Sequence, residues 1–360
     1  MIVYELLVVG ELLLALLTRN RKRGRDWFIF LSCLMLLAVM GLRDVYQIGN
    51  DTRTSYVRTF FDMKNLSFAQ AIKSDPDGYN AGFYGMTKLL YGWTRGDYQL
   101  YIFLTSTFVI LCFGHFVRRY SPSPLQSVLC FLGLLYYSFH FSALKQSIAM
   151  SILLLAFDQV VNRKMFRFLI MVGLASLFHF PSIVFLPAYW IAKMKVGKNY
   201  LIFLALLLVL LYVLRGQILA MFQEGYGTEV SDTGTRFIGN KVIIMIGIVA
   251  VSLILRNPLK QDRLYQILLL FMGTSICIQT FATYSNTFER LADYYFQFAV
   301  VFIPLVFEKG AKRESLLAMR TVRFINDILP ILFCAFAIYR FLGNMAGDGH
   351  FNPYQFYFQR

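Results

Sequence analysis

The sequence predicts an all-α polytopic integral membrane protein with about twelve transmembrane helices, and three observations carry that prediction. First, 58% of the 360 residues are hydrophobic and only 15% are charged, too little polar surface to coat a water-soluble globule. Second, apolar runs recur along the whole chain with short charged segments between them. That is the pattern of helical spans, not of the weakly alternating strands of a membrane barrel. Third, the basic residues concentrate in alternate loops. The loop at 19 to 25, Arg118 with Arg119, and the groups around Arg163, Lys193, Arg256 and Lys309 to Arg323 hold 21 of the 35 Lys and Arg. The positive-inside rule makes those loops cytoplasmic and turns both termini outward.

Taken in order, the first run, Ile2 to Thr18, has no basic residue before it and five after it. This is the reverse of a secretory signal, so it reads as a retained span. Further spans follow at 27 to 42, 98 to 117, 125 to 141, 146 to 162, 166 to 178, 182 to 192, 200 to 214, 241 to 255, 264 to 281, 294 to 307 and 324 to 342. The longest outer loop is 43 to 97. Within it, DTRTSYVRTFF offers an Asp51-Thr52 cap and apolar residues at 56, 57, 60 and 61, the spacing of one helix face. YNAGFYGMTKLLYGW is aromatic and amphipathic, and both pieces suit helices lying at the outer interface. A second outer loop, 215 to 240, is rich in Gly, Thr and Ser and has the composition of a mobile flap. With no repeat of fixed period and no soluble segment, residues 1 to 360 form one transmembrane domain.

Several spans are short. A helix rises ~1.5 Å per residue and the hydrocarbon layer is ~30 Å thick, so a crossing takes about 20 residues. Between Lys164 and Lys193 the chain has 28 residues for two legs, roughly 21 Å each, which sets the turn FHFP below the outer surface. The runs 27 to 42 and 294 to 307 are short too, drawing Arg43, and Arg290 with Asp293, inward. One reading is an outward-opening polar cavity, because ionisable groups at depth require water, a partner or a ligand. The other is ragged boundaries absorbed by bilayer thinning and snorkelling side chains.

In TFERLADYYF, positions 290 and 294 share one helix face and 289 and 293 another. Arg290 and Tyr294 then point at one ligand, or Arg290 pairs with Glu289 or Asp293. Arginine suits a phosphate because its planar fork donates two hydrogen bonds and stays charged. His179, between two Phe and before Pro181, has the chemistry of a general base or phosphate contact, or else of a satisfied structural histidine. Lys145 lies at an outer span end, where it snorkels or binds a ligand. Glu11 is an isolated carboxylate inside the first span.

Other chemistries find no support. Cys33, Cys112, Cys130, Cys277 and Cys334 all fall in apolar runs without paired spacing, which speaks against disulfides and metal sites. Asp75-Pro-Asp77 reads as a turn and not as a metal-binding Asp-x-Asp pair. HExxH, GxxxxGK[ST], GxSxG and CxxC are all absent, so no metal or cofactor is expected. The net charge of +15 lies in short loops and not among exposed aromatics, which excludes nucleic acid as a partner.

Four segments in order, LRDVYQIGNDTRTSY, LKQSIAMSILLLAF, HFPSIVFLPAYWI and ERLADYYFQFAVVFIP, followed by NPYQFYF, resemble the EpsG family of exopolysaccharide and capsule biosynthesis proteins, relatives of Wzy-type (O-antigen) polysaccharide polymerases. The resemblance covers nearly the whole chain. The family's arginine, Gly-Thr-Asp and tyrosine correspond to Arg43, Gly49, Asp51 and Tyr56, with Asn50 standing for the threonine. Its Arg-Gln-x-Ile-Ala becomes Lys145-Gln146-Ser147-Ile148-Ala149, where lysine keeps the charge but loses the bidentate fork. His179 and Arg290 match the family's histidine and its arginine before an aromatic pair.

The resemblance implies a GT-C-like fold that joins oligosaccharide repeat units carried on undecaprenyl pyrophosphate, at the outer face of the bacterial inner membrane. A sugar hydroxyl attacks the anomeric carbon and lipid pyrophosphate leaves, so arginines can stabilise the developing charge without a metal or nucleotide. On that reading Arg43, Lys145, Arg236, Arg290, Asp293 and Tyr294 line the pyrophosphate or substrate site, and His179, Asp51 or Glu289 serves the acceptor. A flippase and a chain-length regulator are the protein partners implied. The alternatives are a flippase or transporter of the same lipid-linked sugar, or an O-antigen ligase or acyltransferase that modifies it. A flippase would expose polar sites to both sides through repeats and broken helices, whereas the polar excess here is one-sided.

Overall fold

A computed structural model describes residues 1–75, 78–226, 240–254, 259–283, 285–310 and 328–359. Asp77, Arg236 and residues 227–239 of the second outer loop lie outside the described residues. Each apolar run read from the sequence contains helix among the described residues. In chain order the helices are α1 (Ile2–Thr18), α2 (Gly24–Gly41), α3 (Val57–Asp62), α4 (Phe68–Lys73), α5 (Ala81–Trp93), α6 (Tyr98–Tyr120), α7 (Pro124–Gly133), α8 (Tyr136–Phe139), α9 (Leu144–Val161), α10 (Met165–Phe178), α11 (Ala188–Ile191), α12 (Lys198–Tyr226), α13 (Asn240–Ile254), α14 (Arg263–Gln279), α15 (Asn286–Phe296), α16 (Ala299–Gly310) and α17 (Leu329–Gly347). Among the described residues the one extended pairing is an isolated antiparallel bridge between Arg43 and Phe356.

Among the described residues, six helical stretches are long and apolar enough to cross a membrane: 24–41, 98–120, 144–161, 198–220, 263–282 and 329–347. The pair α15 and α16, bent by 48° at its break, makes a seventh if counted as one span. The apolar helices at 124–133, 165–178, 180–191 and 241–254 are shorter. α12 shows why the solvent is lipid. Leu201, Leu206, Val209 and Val213 are all more than half exposed, and an all-apolar exposed helix is stable only in hydrocarbon.

Antiparallel neighbours set the two ends of the bundle. Gln99 Nε2 donates to the Gly41 carbonyl at 3.0 Å, while at the far ends of the same two helices Arg118 Nε meets Asp26 Oδ1 at 2.9 Å. α9 has Lys145 at the Gly41 end and Asp158 at the other, where His115 and Arg119 reach that carboxylate at 3.2 Å each. Phe157, Phe185, Phe271 and Phe298 interlock between α9, α14 and the segment before α16, with ring centroids 4.9 to 5.9 Å apart.

Several sequence expectations change. α2 begins at Gly24 and not near 27, because a turn at Arg23 in the left-handed region starts it earlier. Its 18 residues then rise ~27 Å, so Arg43 is not drawn inward by a short span. The run 125 to 141 is not one helix: α7 stops at Gly133, Leu135 has φ 67°, and one separate turn follows. The run 182 to 192 is a 3-10 helix, Phe180–Phe185, and a single α turn. α12 continues past Arg215 to Tyr226 into the segment read as loop.

The Asp51-Thr52 cap is absent. Asp51 already has helical φ and ψ at the head of a π turn, Thr52–Tyr56, with no side-chain cap bond. Thr52 Oγ1 donates to the Phe141 carbonyl at 3.1 Å instead. The capping box of this region lies at Ser67 and Gln70, opening α4. The long outer loop is therefore folded structure: Phe60 is buried against Tyr91, Tyr98 and Tyr101, with centroids 4.8 to 5.3 Å apart.

Candidate functional site

α15 places two chemistries on two faces, as its helical spacing predicts. On one face Glu289 and Asp293 share Lys241 of α13, whose Nζ donates at 3.1 and 2.5 Å. Tyr136 donates to the same Asp293 oxygen at 3.1 Å, and the charge of Arg340 reaches both carboxylates while its Nη1 holds the Gly133 carbonyl at 2.8 Å. Lys241 and Arg340 were not singled out in the sequence. Each is a lone cation at or inside an apolar run, which is the signal that finds such residues. This group ties α13, α15, α17 and the start of α8 together, so Glu289 and Asp293 bind Lys241 and not Arg290.

On the other face, Tyr294 is fully buried and its hydroxyl lies 2.5 Å from His179 Nδ1. His179 ends α10 in an extended conformation, φ −150°, because Pro181 has no N–H and starts the 3-10 turn that follows. The Phe180 N–H is taken by Asn80 Oδ1 at 3.2 Å. Asn80 in turn donates its own N–H to Asp75 Oδ2 at 2.5 Å. His179 is 4% exposed, and the charges of Arg290 and Lys145 both reach its ring.

Lys145 stands at the start of α9 with Nζ 4.8 Å from the Tyr84 ring centre and 5.4 Å from that of Phe83, a cation held over aromatic faces. Its backbone N–H points at the Tyr56 hydroxyl, 3.4 Å away. The next residue, Gln146, donates through Nε2 to the Arg290 carbonyl at 3.0 Å, fixing α9 against α15. The Arg290 side chain is exposed and has no hydrogen bond or ion pair among the described residues. Asp51 faces it. Burial holds the Asp51 carboxyl above the usual carboxylate range, while Arg290 and His350 pull it back down.

Arg43 is not at a rim. It is 1% exposed, with Nη1 bonded to the Met40 carbonyl, Nη2 donating to the Phe141 carbonyl at 3.2 Å and its guanidinium 4.6 Å from the Phe141 ring centre. The tail covers it: Asp44 N–H donates to Gln355 at 2.8 Å, Tyr357 N–H to Leu42 at 3.0 Å, and the Tyr354 hydroxyl to Val39 at 2.9 Å. Phe141 links this socket to the site, because its carbonyl also accepts from Thr52, the neighbour of Asp51.

The same tail supplies His350, which the sequence reading missed. Its Nδ1 lies 2.8 Å from Arg53 Nη2. Arginine has only donors, so Nδ1 accepts and the neutral ring carries its hydrogen on Nε2. The His350 carbonyl accepts from Gly49 N–H at 2.9 Å. A lone histidine ten residues from the end of the 360-residue sequence has no local pattern to mark it; only tertiary contact brings it within electrostatic reach of Asp51.

The structure thus brings together Asp51, Lys145, His179, Arg290 and Tyr294, sets Glu289 with Asp293 on the opposite face of α15, and encloses Arg43. Arg236 lies outside the described residues. Among the described residues no three His, Cys, Asp or Glu side chains converge as a metal would require. No curated protein and no solved structure gives a significant match to the chain. The family model of the EpsG family matches residues 26–356, which takes in every segment of the site, and the chain belongs to that family.

Proposed function

We propose that the chain polymerises undecaprenyl-pyrophosphate-linked oligosaccharide repeat units at the outer face of the bacterial inner membrane, in a GT-C-like fold of about twelve crossings. Membership of the EpsG family supports a polysaccharide polymerase of glycosyltransferase type. The finer reading is supported by one observation: the charges of Lys145 and Arg290 both reach His179, and that of Arg290 reaches Asp51, although the four come from segments far apart in the chain.

Two cations and a carboxylate suit glycosyl transfer with pyrophosphate departure. The acceptor sugar hydroxyl forms the new C–O bond at the anomeric carbon of the donor chain, and the bond from that carbon to the pyrophosphate oxygen breaks with its electron pair on the leaving group. Arg290 and Lys145 stabilise that negative charge, which is largest in the transition state. Asp51 takes the hydroxyl proton, a role suited to a carboxylate whose proton affinity burial has raised. Tyr294 orients His179, which contacts the substrate. No metal enters this scheme, and a flippase and a chain-length regulator are the protein partners it calls for.

Purified protein supplied with a lipid-linked repeat unit tests the proposal. Wild type should give a ladder of products, while Arg290→Ala and Lys145→Ala should give single units. Normal ladders from both variants would overturn the site. A ligase would transfer the unit once to a different acceptor, and a flippase would leave it chemically unchanged.

A further inference from the structure

At the end of the bundle away from His179, α2 and α6 part to leave a cavity of about 630 Å³. Lys145 and Asp158 mark the two ends of α9, which stand ~20 Å apart along its axis, and the cavity lies on the Asp158 side, with His115 in its wall and bonded to Asp158 at 3.2 Å. Its charged lining is Arg23, Asp26 and Arg118. Its inner walls are Ile29, Phe30, Cys33 and Leu111, with Gly114 as the floor. A Cβ on Gly114 would come within 2.5 Å of Cys33 Sγ, so glycine allows the two helices to approach there. Trp27 also lines it, 55% exposed, as are Phe30 at 55% and Leu111 at 63%. These apolar groups face outward from the bundle.

Charge and shape together specify the occupant. The two carboxylates beside the cavity are already engaged: Asp26 by Arg118 at 2.9 Å, and Asp158 by His115, Arg119 and the Tyr120 hydroxyl. The Arg23 side chain has no hydrogen bond or ion pair among the described residues, and Arg19, Arg21 and Lys22 are exposed beside it. A surplus of positive charge therefore sits directly above an apolar slot flanked by tryptophan, which is the arrangement of a membrane-interface site with an anion at its head and hydrocarbon below. We infer that this cavity binds an anionic phospholipid, with the phosphodiester at Arg23 and Arg118 and an acyl chain along Phe30, Cys33 and Leu111. Zwitterionic lipid carries the same chains, but its own cation would face these arginines.

The test uses the full-length protein in detergent, titrated with phosphatidylglycerol or phosphatidylcholine and read by native mass spectrometry. Phosphatidylglycerol should bind more tightly than phosphatidylcholine. Arg23→Gln, which alters an exposed side chain, should weaken it by about fivefold. Leu111→Trp, which fills the slot and leaves every charge in place, should also reduce retention. Equal binding of the two lipids, or unchanged phosphatidylglycerol binding in Arg23→Gln, would overturn the inference. If Leu111→Trp bound lipid normally while Arg23→Gln did not, the anion would be held at the surface and the cavity would not be the site.

Discussion

His179 Nδ1 and the Tyr294 hydroxyl meet at 2.5 Å across 115 residues of sequence. The contact joins the break after α10 to the buried face of α15, and so sets the depth of the imidazole relative to Arg290, one turn earlier on the same helix. Tyr294→Phe keeps the ring and removes this contact. The expected result is a destabilisation of about 1 kcal/mol, read by thermal unfolding in detergent, with a larger fractional loss of polymerisation because the imidazole is no longer held in place.

Lys241 neutralises two carboxylates at once. Lys241→Met would leave the 7%-exposed Asp293 side chain without its closest cation, and breaking a buried pair from one side costs about 3–5 kcal/mol. Asp293→Asn in the same background should recover part of that loss. A double-mutant cycle by thermal unfolding reads the coupling, and additive effects would show that Lys241 and Asp293 act independently.

Asp51 offers a separation of stability from activity. Its folded-state proton affinity is raised, so between the ordinary carboxylate range and the raised value the folded chain binds more protons than the unfolded one. Stability therefore falls as pH rises through that window and stays lower above it. Asp51→Asn should remove this pH dependence and unfold no more easily than wild type at neutral pH. If Asp51 accepts the acceptor proton, polymerisation in wild type should rise with pH across the same window, and the variant should be inactive throughout.

Gly49 cannot take a side chain without strain. Its φ is 98°, and a Cβ would collide with the Phe141 carbonyl and the Thr52 hydroxyl. Gly49→Ala should destabilise the fold by about 2 kcal/mol or more and shift Thr52 and Asp51 together. Parallel assays of unfolding and polymer length should show both defects.

His350→Ala removes the acceptor of Arg53 at 2.8 Å while leaving the backbone tie to Gly49. Polymer yield should fall by about tenfold, the effect of losing one charge-assisted contact of ~1.4 kcal/mol in the transition state, with unfolding temperature little changed. A normal yield would place His350 outside the working site.

Much of this arrangement was legible in the sequence, and what was missed has a physical reason. The helical runs follow from apolar content alone, because lipid forces backbone groups to bond within each segment. The division of α15 into a 289/293 face and a 290/294 face follows from helical spacing, although spacing does not name the partners. The sequence leaves Arg290 the choice of Glu289 or Asp293; Lys241, from a helix far upstream, takes both. Arg43 was misread for a related reason. Its setting after an apolar run suggested a rim, but the groups that enclose it come from residues 354 to 357, and no local pattern reports a contact over that separation. The Asp51-Thr52 cap failed because Asp51 is already helical and does not take the extended conformation a capping residue needs.

The cover over Arg43 has a consequence for the order of biosynthesis. The arginine enters the membrane beside α2 before the segment that closes over it, bridged at Phe356, is made. Throughout that interval a guanidinium meant for a dry socket is uncovered. A nascent chain halted between the two would keep that socket open.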